Sequence, residues 1–532
     1  MISILDSNLL PREVYQKKDE FGIENTIFLL KEIINKGEKE KEKDAIKYLG
    51  LIDSKETRIK EDCFKTLENI LITDDDISIK CEAARALGNL CIENSLNALK
   101  WVLDQPFVTD DLKKVALKAI ANIRFEDPEI NLFIKELGNY NPSIREVIKT
   151  RLIYLDPTKL IKSLLSALHT EDLSRDHQLK IIELIGYEIA SLNVSFESYS
   201  YIRANFPEIL NELNTSKELL LKVIISNQRE KDQEFMEEIL SIMRLFKEDI
   251  NDFLIEQLKT DDYIVKSNVA RLIGKLHINN AQEALIESID DIYSNVSIAC
   301  LESLGLIANP SVVPTLCKIL NVEDYEFEYV DLDLKWYILE TIINIYERSP
   351  TVSYEYLYST LENGNDLLRE SIAYIMGELQ RKEFVEPLIN SLEEKHFEVK
   401  KNVIIALGKI GHISALKPLL SLLEEENVYW LIKKVTIDAI SNFFDNYWFQ
   451  QDKIDEELKR SLIKARTILA DYLKRNKDEC FKIKIGLIKF LEKFGDKDSI
   501  PALNTCVADF HKLVKISSSK AIKAIQKKYE DE

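Results

Sequence analysis

Val399-Lys-Lys-Asn-Val-Ile-Ile-Ala-Leu-Gly-Lys-Ile410, followed after a short turn by Ala415-Leu-Lys-Pro-Leu-Leu-Ser-Leu-Leu423, decides the fold of this chain. Apolar residues recur at i, i+3, i+4 and i+7 in the first segment, the spacing of one buried helix face. The glycine near its end costs about 1 kcal/mol in a helix interior, which is tolerable if a neighbouring helix must approach the backbone there. Pro418 sits early in the second segment, where its missing N–H does least harm. The pair therefore predicts two helices joined by a turn.

The same pair recurs. Val265–Leu276 precedes Ala281–Ile289, Val296–Ile307 precedes Val312–Leu320, and Leu368–Leu379 precedes Phe384–Leu392. Gly274 and Gly305 lie 31 residues apart, as do Gly377 and Gly408. Pro314 and Pro387 repeat the early proline. Asp262, Asn295, Asp366 and Glu398 are expected to precede the first helix of each pair, which suits its N-terminus and dipole. Ile79–Leu90 is a further strong copy. Leu112–Ile123, Ile144–Leu155 and Ile432–Phe443 keep the period but lose the glycine, and 44–52 and 483–494 carry the pattern towards both ends.

This pattern resembles HEAT repeats, specifically the short subtype named for phycobilisome lyases. The resemblance implies an all-α fold, an α-α superhelix of antiparallel helix pairs. Each repeat would touch only its neighbours and leave a wall for binding. Which helix lines that wall is open at this stage. The expected organisation is an N-terminal helical cap over 1–43, repeats over 44–159, divergent repeats or a hinge over 160–258, repeats over 259–444 with an insert at 321–333, and basic helical repeats and cap over 445–532.

Composition agrees. The 532 residues are 45% apolar and 30% charged, enough to bury a large core, and the 14 Gly and 12 Pro are too few for a turn-rich strand fold. The opening MISILDSNLLPREV lacks a basic stretch leading into an apolar one, so no signal peptide is expected. No apolar run reaches the length of a membrane span. The seven cysteines are odd in number and show no CxxC spacing. They read as small buried hydrophobes in a reducing, cytoplasmic setting. The net charge is −20, yet Leu458–Tyr529 holds 18 Lys/Arg against 7 Asp/Glu, a local +11 that leaves −31 elsewhere. Most of the surface should thus repel nucleic acid, the C-terminal stretch excepted.

The chain contains no GxxxxGK, GxGxxG, HExxH or GxSxG, so the phosphate-cradling and nucleophile-exposing motifs are missing. The six histidines are scattered with no i, i+4 pair, and His277 and His412 are expected in exposed inter-helix turns. Deoxyhypusine hydroxylases, a HEAT-like enzyme family, bind iron through His-Glu dipeptides, and this chain has none. DNA-alkylation-repeat glycosylases need a basic groove, against the overall charge. For the bilin lyase group, no short motif would establish pigment binding. Asp74–Asp76, Asp261–Asp262 and Asp496–Asp498 do not fit an EF-hand loop and read as caps at helix starts. No catalytic residue, cofactor or metal is expected.

Three surfaces remain. In the insert, Glu323, Asp324, Glu326 and Glu328 alternate with Tyr325, Phe327 and Tyr329, a pattern that could grip a basic protein or peptide through aromatic anchors and charge steering. Phe443–Phe449, with Trp336 and Trp430, reads more as core than as a ligand box. The basic end presents Lys459, Arg460, Lys464, Arg466, Lys474, Arg475, Lys512, Lys515, Lys520 and Lys523, either as a solvated capping face or as a contact for acidic protein, membrane or nucleic acid. The leading expectation is a non-enzymatic protein-binding scaffold. The alternatives are a subunit of a lyase-type modification system, implied by the resemblance alone, and nucleic-acid binding through the basic end.

Overall fold

The computed structural model describes residues 10–170, 173–192, 198–227, 233–320, 332–425, 427–448, 456–476 and 479–528, among which there are helices and no strand. The chain divides into two compact units, Met1–Leu254 and Ile255–Glu532. Each is a row of helices, most of them packed on the next, with further helices along one flank.

In unit 1 the row runs α1 (Lys39–Gly50), α2 (Ile77–Leu90), α3 (Asp110–Ile123), α4 (Pro142–Leu152), α5 (Arg175–Ser191) and α6 (Gln233–Phe246). Thr57–Thr73 flanks α2 and Ser95–Leu103 flanks α3. Between α5 and α6 stand three helices, Ser198–Asn205, Pro207–Thr215 and Lys217–Asn227, where one would complete an ordinary repeat. This accounts for the irregular spacing in this part of the sequence. Beyond the three helices α6 packs directly on α5.

In unit 2 the row is α7 (Tyr263–Lys275), α8 (Ser294–Ile307), α9 (Leu332–Arg348), α10 (Asp366–Leu379), α11 (Phe397–Ile410), α12 (Trp430–Tyr447), α13 (Phe481–Phe494) and α14 (Lys512–Lys528). Its flanking helices are short except for Glu456–Arg475, and several are opened by a single 3₁₀ turn, as at Pro310–Val312, Lys382–Phe384 and Ile413–Ala415. Pro314, Pro387 and Pro418 all fall in the first turn after these. Flanking helices such as Glu355–Asn363 and Leu416–Glu424 pack more closely against the row helix that follows than against the one before. The packing unit is thus offset by one helix from the pair read in the sequence.

The glycine step explains how closely the row is stacked. A Cβ on Gly88 would stand 2.8 Å from the Ala119 Cα of the next row helix, and one on Gly408 2.7 Å from the Ala439 Cα. Gly50 on Ala86, Gly274 on Ser303 and Gly377 on Ala406 repeat the contact. Each is a glycine meeting a small residue two positions ahead of the next copy's glycine position, so backbones touch with no side chain between them. Gly305 is the exception, with Asn344 Nδ2 at 3.4 Å.

The expected caps need correction. Asp262 does cap α7, accepting the Ile264 and Val265 N–H groups. Asn295, Asp366 and Glu398 lie inside the first turn, and the caps are Tyr293, Asn365 and His396. The carboxylates there still oppose the helix dipole favourably. Asp76 and Asp496 act as caps, accepting from Ser78 and Ser499.

Polar rungs tie successive repeats of unit 2. Lys266 reaches Asp291 at 2.7 Å, Arg369 pairs with Glu394, Lys433 lies 3.5 Å from Glu479, and Lys484 reaches Asp509 at 2.8 Å. Each acid precedes the next row helix and also accepts a turn N–H, from Tyr293, His396, Cys480 and His511 respectively. Burial alone would lift these carboxyls. The cation and the N–H groups, with the Tyr472 hydroxyl donating to Glu479 as the leading contribution there, outweigh it and hold all four below the usual carboxylate range.

Candidate partner-binding surfaces

The turns that carry the rungs also form an edge of unit 2. Because the row helices are parallel, their N-termini lie along one side. Aromatic residues occupy the cap or first position of α7, α8, α11, α12 and α13. The Tyr263 and Tyr293 rings stack at 4.5 Å, and Phe397 meets Tyr429 edge-on at 5.6 Å. Phe481 stacks on His511 at 4.1 Å, and the Lys482 ammonium lies 4.1 Å from the centre of the Trp430 ring. These rings cover the helix ends yet remain partly open to solvent, Tyr429 by 56%. One residue after the rung acid, Ile292 and Phe510 stand almost entirely in solvent, at 89% and 105%. Sequence reasoning passed over this edge, because its rings are about one repeat apart and only the stacking brings them together.

The acidic, aromatic stretch Glu323–Tyr329 lies outside the described residues. Of the aromatic cluster, Phe443 and Phe444 are core, and Phe444 packs on Phe490, Phe494 and Trp448; Tyr447, Trp448 and Trp430 are half-buried, and Phe449 lies outside the described residues. Trp336 is half-exposed against Tyr374.

The basic residues divide by what they touch. Arg466 leaves the surface set: its side chain is 12% exposed, pairs with Asp496, bonds the Phe494 carbonyl and lies over Trp448. Lys459, Arg475 and Lys520 pair with Glu456, Glu424 and Glu492. Arg460, Lys464, Lys474, Lys512, Lys515 and Lys523 have no ion pair among the described residues. On α14, Lys512, Lys515, Lys520 and Lys523 share one face at helical spacing, with exposed Ile516 among them.

The histidines and cysteines serve the fold. His177 is buried, with Nε2 2.7 Å from the Ile134 carbonyl. His277 is exposed in a left-handed turn, whereas His412 is half-buried and holds the Ser414 hydroxyl at 2.8 Å. Cys63, Cys300, Cys317 and Cys506 are buried, and Cys91 is the exposed one among the seven. Burial pushes the Cys63 and Cys300 thiols up to about 12. Among the described residues no cluster of three or more His, Cys, Asp or Glu could hold a metal, and no helix is long and apolar enough to cross a membrane.

The family model described as HEAT repeats matches residues 251–328 and 354–441. No curated protein matches the chain. Solved structures similar to it include yeast importin-beta (Kap95p), 13% identical over 99% of this chain and 82% of that one, with a TM-score of 0.39. Another is Kap121p bound to RanGTP, 15% identical over 97% of this chain and 57% of that one, with a TM-score of 0.42. Likeness at this level carries nothing about function. The family match falls on the repeated helix pairs of unit 2 described above, and those two segments carry HEAT repeats.

Proposed function

We propose that this chain is a non-enzymatic scaffold that holds a protein partner along the helix N-terminal edge of unit 2. The observation that carries the reading is the row of partly exposed rings with Ile292 and Phe510 projecting beyond them. Single exposed hydrophobics are ordinary on protein surfaces, but a series of aromatics repeated along one edge offers anchors of the kind that dominate interface energies. The test is affinity capture with the wild-type chain and with Ile292→Ser/Tyr429→Ala/Phe510→Ser, whose side chains are exposed enough for the fold to be kept. The expected result is a reproducible set of proteins on the wild type that falls at least about tenfold on the triple variant, about 1.4 kcal/mol spread over the three side chains. Equal recovery on both would overturn the reading. Charge reversal at Glu323, Asp324, Glu326 and Glu328 tests the acidic stretch as a separate contributor.

A second reading, nucleic-acid binding through the C-terminal helices, is favoured by the unpaired cations on α14 and Glu456–Arg475. It requires a mobility shift with DNA or RNA that weakens steeply as salt rises. No shift at low salt removes it.

A further inference from the structure

Between α3 and α4 the glycine step is lost on both sides. Aligned with Gly88 of α2, α3 carries Ala121; aligned with Ala119 of α3, α4 carries Arg151. A methyl and a guanidinium now stand where backbones touch elsewhere in the row. The Arg151 guanidinium instead donates to the Ala121 carbonyl at 2.7 Å. The two helices part, and a cleft of about 680 Å³ opens, within the range of ligand sites. Ala121, Phe133 and Val147 give it apolar lining, and Lys114, Lys118, Arg151 and Glu146 give it charge.

That charge is out of character for a chain of net −20. Three cations face one carboxylate, and Lys114 and Lys118 have no ion pair among the described residues, whereas the adjacent Lys113 is held by Glu136 at 2.9 Å. Lys114 and Lys118 are one helical turn apart, roughly 6 Å between side-chain bases. Alternate residues of an extended peptide lie about 6.7 Å apart on one face. Two carboxylates at i and i+2 of such a peptide would meet the two lysines together, while the residues between them face the other way, towards the apolar lining.

We propose that the α3–α4 cleft binds an extended acidic peptide segment in which carboxylates alternate with apolar residues. The proposal rests on the reading of the chain as a partner-binding scaffold, but on a different unit and surface from the aromatic edge, so either can fail alone. The probe is a fluorescein-labelled peptide of alternating Glu and Leu, with its Gln counterpart as control, titrated with the full chain by fluorescence anisotropy. The Glu peptide is expected to bind, and Lys114→Glu/Lys118→Glu to weaken it about tenfold or more, as loss of two charge pairs with reversal implies. Lys512→Glu/Lys515→Glu/Lys523→Glu should leave it unchanged. Ala121→Gly/Arg151→Ala restores the small-on-glycine contact; it is expected to abolish binding while the melting temperature stays equal or rises. The proposal is overturned if the Glu peptide does not bind, if binding follows the α14 lysines instead, if the Gln peptide binds equally, or if pyrophosphate binds the cleft and the peptide does not.

Discussion

Gly408 and Gly305 occupy the same position of the repeat, and a methyl group is expected to do opposite things at them. At Gly408 the new Cβ would lie 2.7 Å from the Ala439 Cα, a backbone atom that cannot swing away. Overpacking of this kind costs about 1–3 kcal/mol, against about 1 kcal/mol gained from helix propensity. Gly408→Ala should therefore lower stability by up to about 2 kcal/mol. At Gly305 the nearest atom is the movable Asn344 amide at 3.4 Å, so Gly305→Ala should be neutral or stabilise by up to about 1 kcal/mol. Urea unfolding of the two variants side by side checks the prediction; equal losses would sink it. The glycines were legible in the sequence as a repeated signal, but which of them is obligatory depends on the residue that faces it across the stack.

At the scale of elements, the rungs join each row helix to the turn before the next. Removing one partner takes a charge-assisted hydrogen bond from a mostly buried charge. Asp509→Asn, facing Lys484 with its side chain 8% exposed, should cost on the order of 3 kcal/mol at the C-terminal end. The pH dependence has a definite sign. Folded-state carboxyls held below their unfolded values contribute stability that is fully present above the unfolded value of about 4 and is lost as pH falls through the folded value. Unit 2 should thus show a flat stability above about pH 5 and a decline below it, shallower in Asp509→Asn. Thermal unfolding followed across that range tests both parts. The lysines and acids of the rungs are plain in the sequence, yet they are separated by a flanking helix whose length varies. Lys433 and Glu479 belong together only because the long helix Glu456–Arg475 folds back between them.

At the scale of the molecule, unit 1 should show a pH response between about pH 5 and pH 7 that unit 2 lacks. Glu188 of α5 is 3% exposed, and burial pushes its carboxyl up to about 7. A carboxyl raised on folding stabilises most when both states are protonated in the fold's favour, below its unfolded value, and that contribution is lost as pH rises through the folded one. Unit 1 should therefore loosen between about pH 5 and pH 7, a window in which the paired Glu129 and Glu183, both held low, are already ionised in both states. Hydrogen exchange corrected for intrinsic rates should show faster exchange around α5 and α6 at the upper end of that window, with unit 2 unchanged. Glu188→Gln should remove the difference; a persistent one would show that another group is responsible.

What the sequence determined by itself was the local and repetitive part: helices from the 3.6-residue apolar spacing, turns from the prolines, and stacked repeats from the recurring Leu-Gly step, because each of these is encoded within about thirty residues and repeated. It also carried the uneven charge. What only the tertiary structure decided was which side chains meet. Stacking places Tyr263 on Tyr293 and Phe481 on His511, takes Arg466 out of the basic surface, and opens a cleft where Ala121 and Arg151 replace the glycine and the small residue. The physical reason is that a repeat has no stable surface of its own: its exposed faces are whatever its neighbours leave uncovered, and that depends on contacts across the stack, not on spacing along the chain.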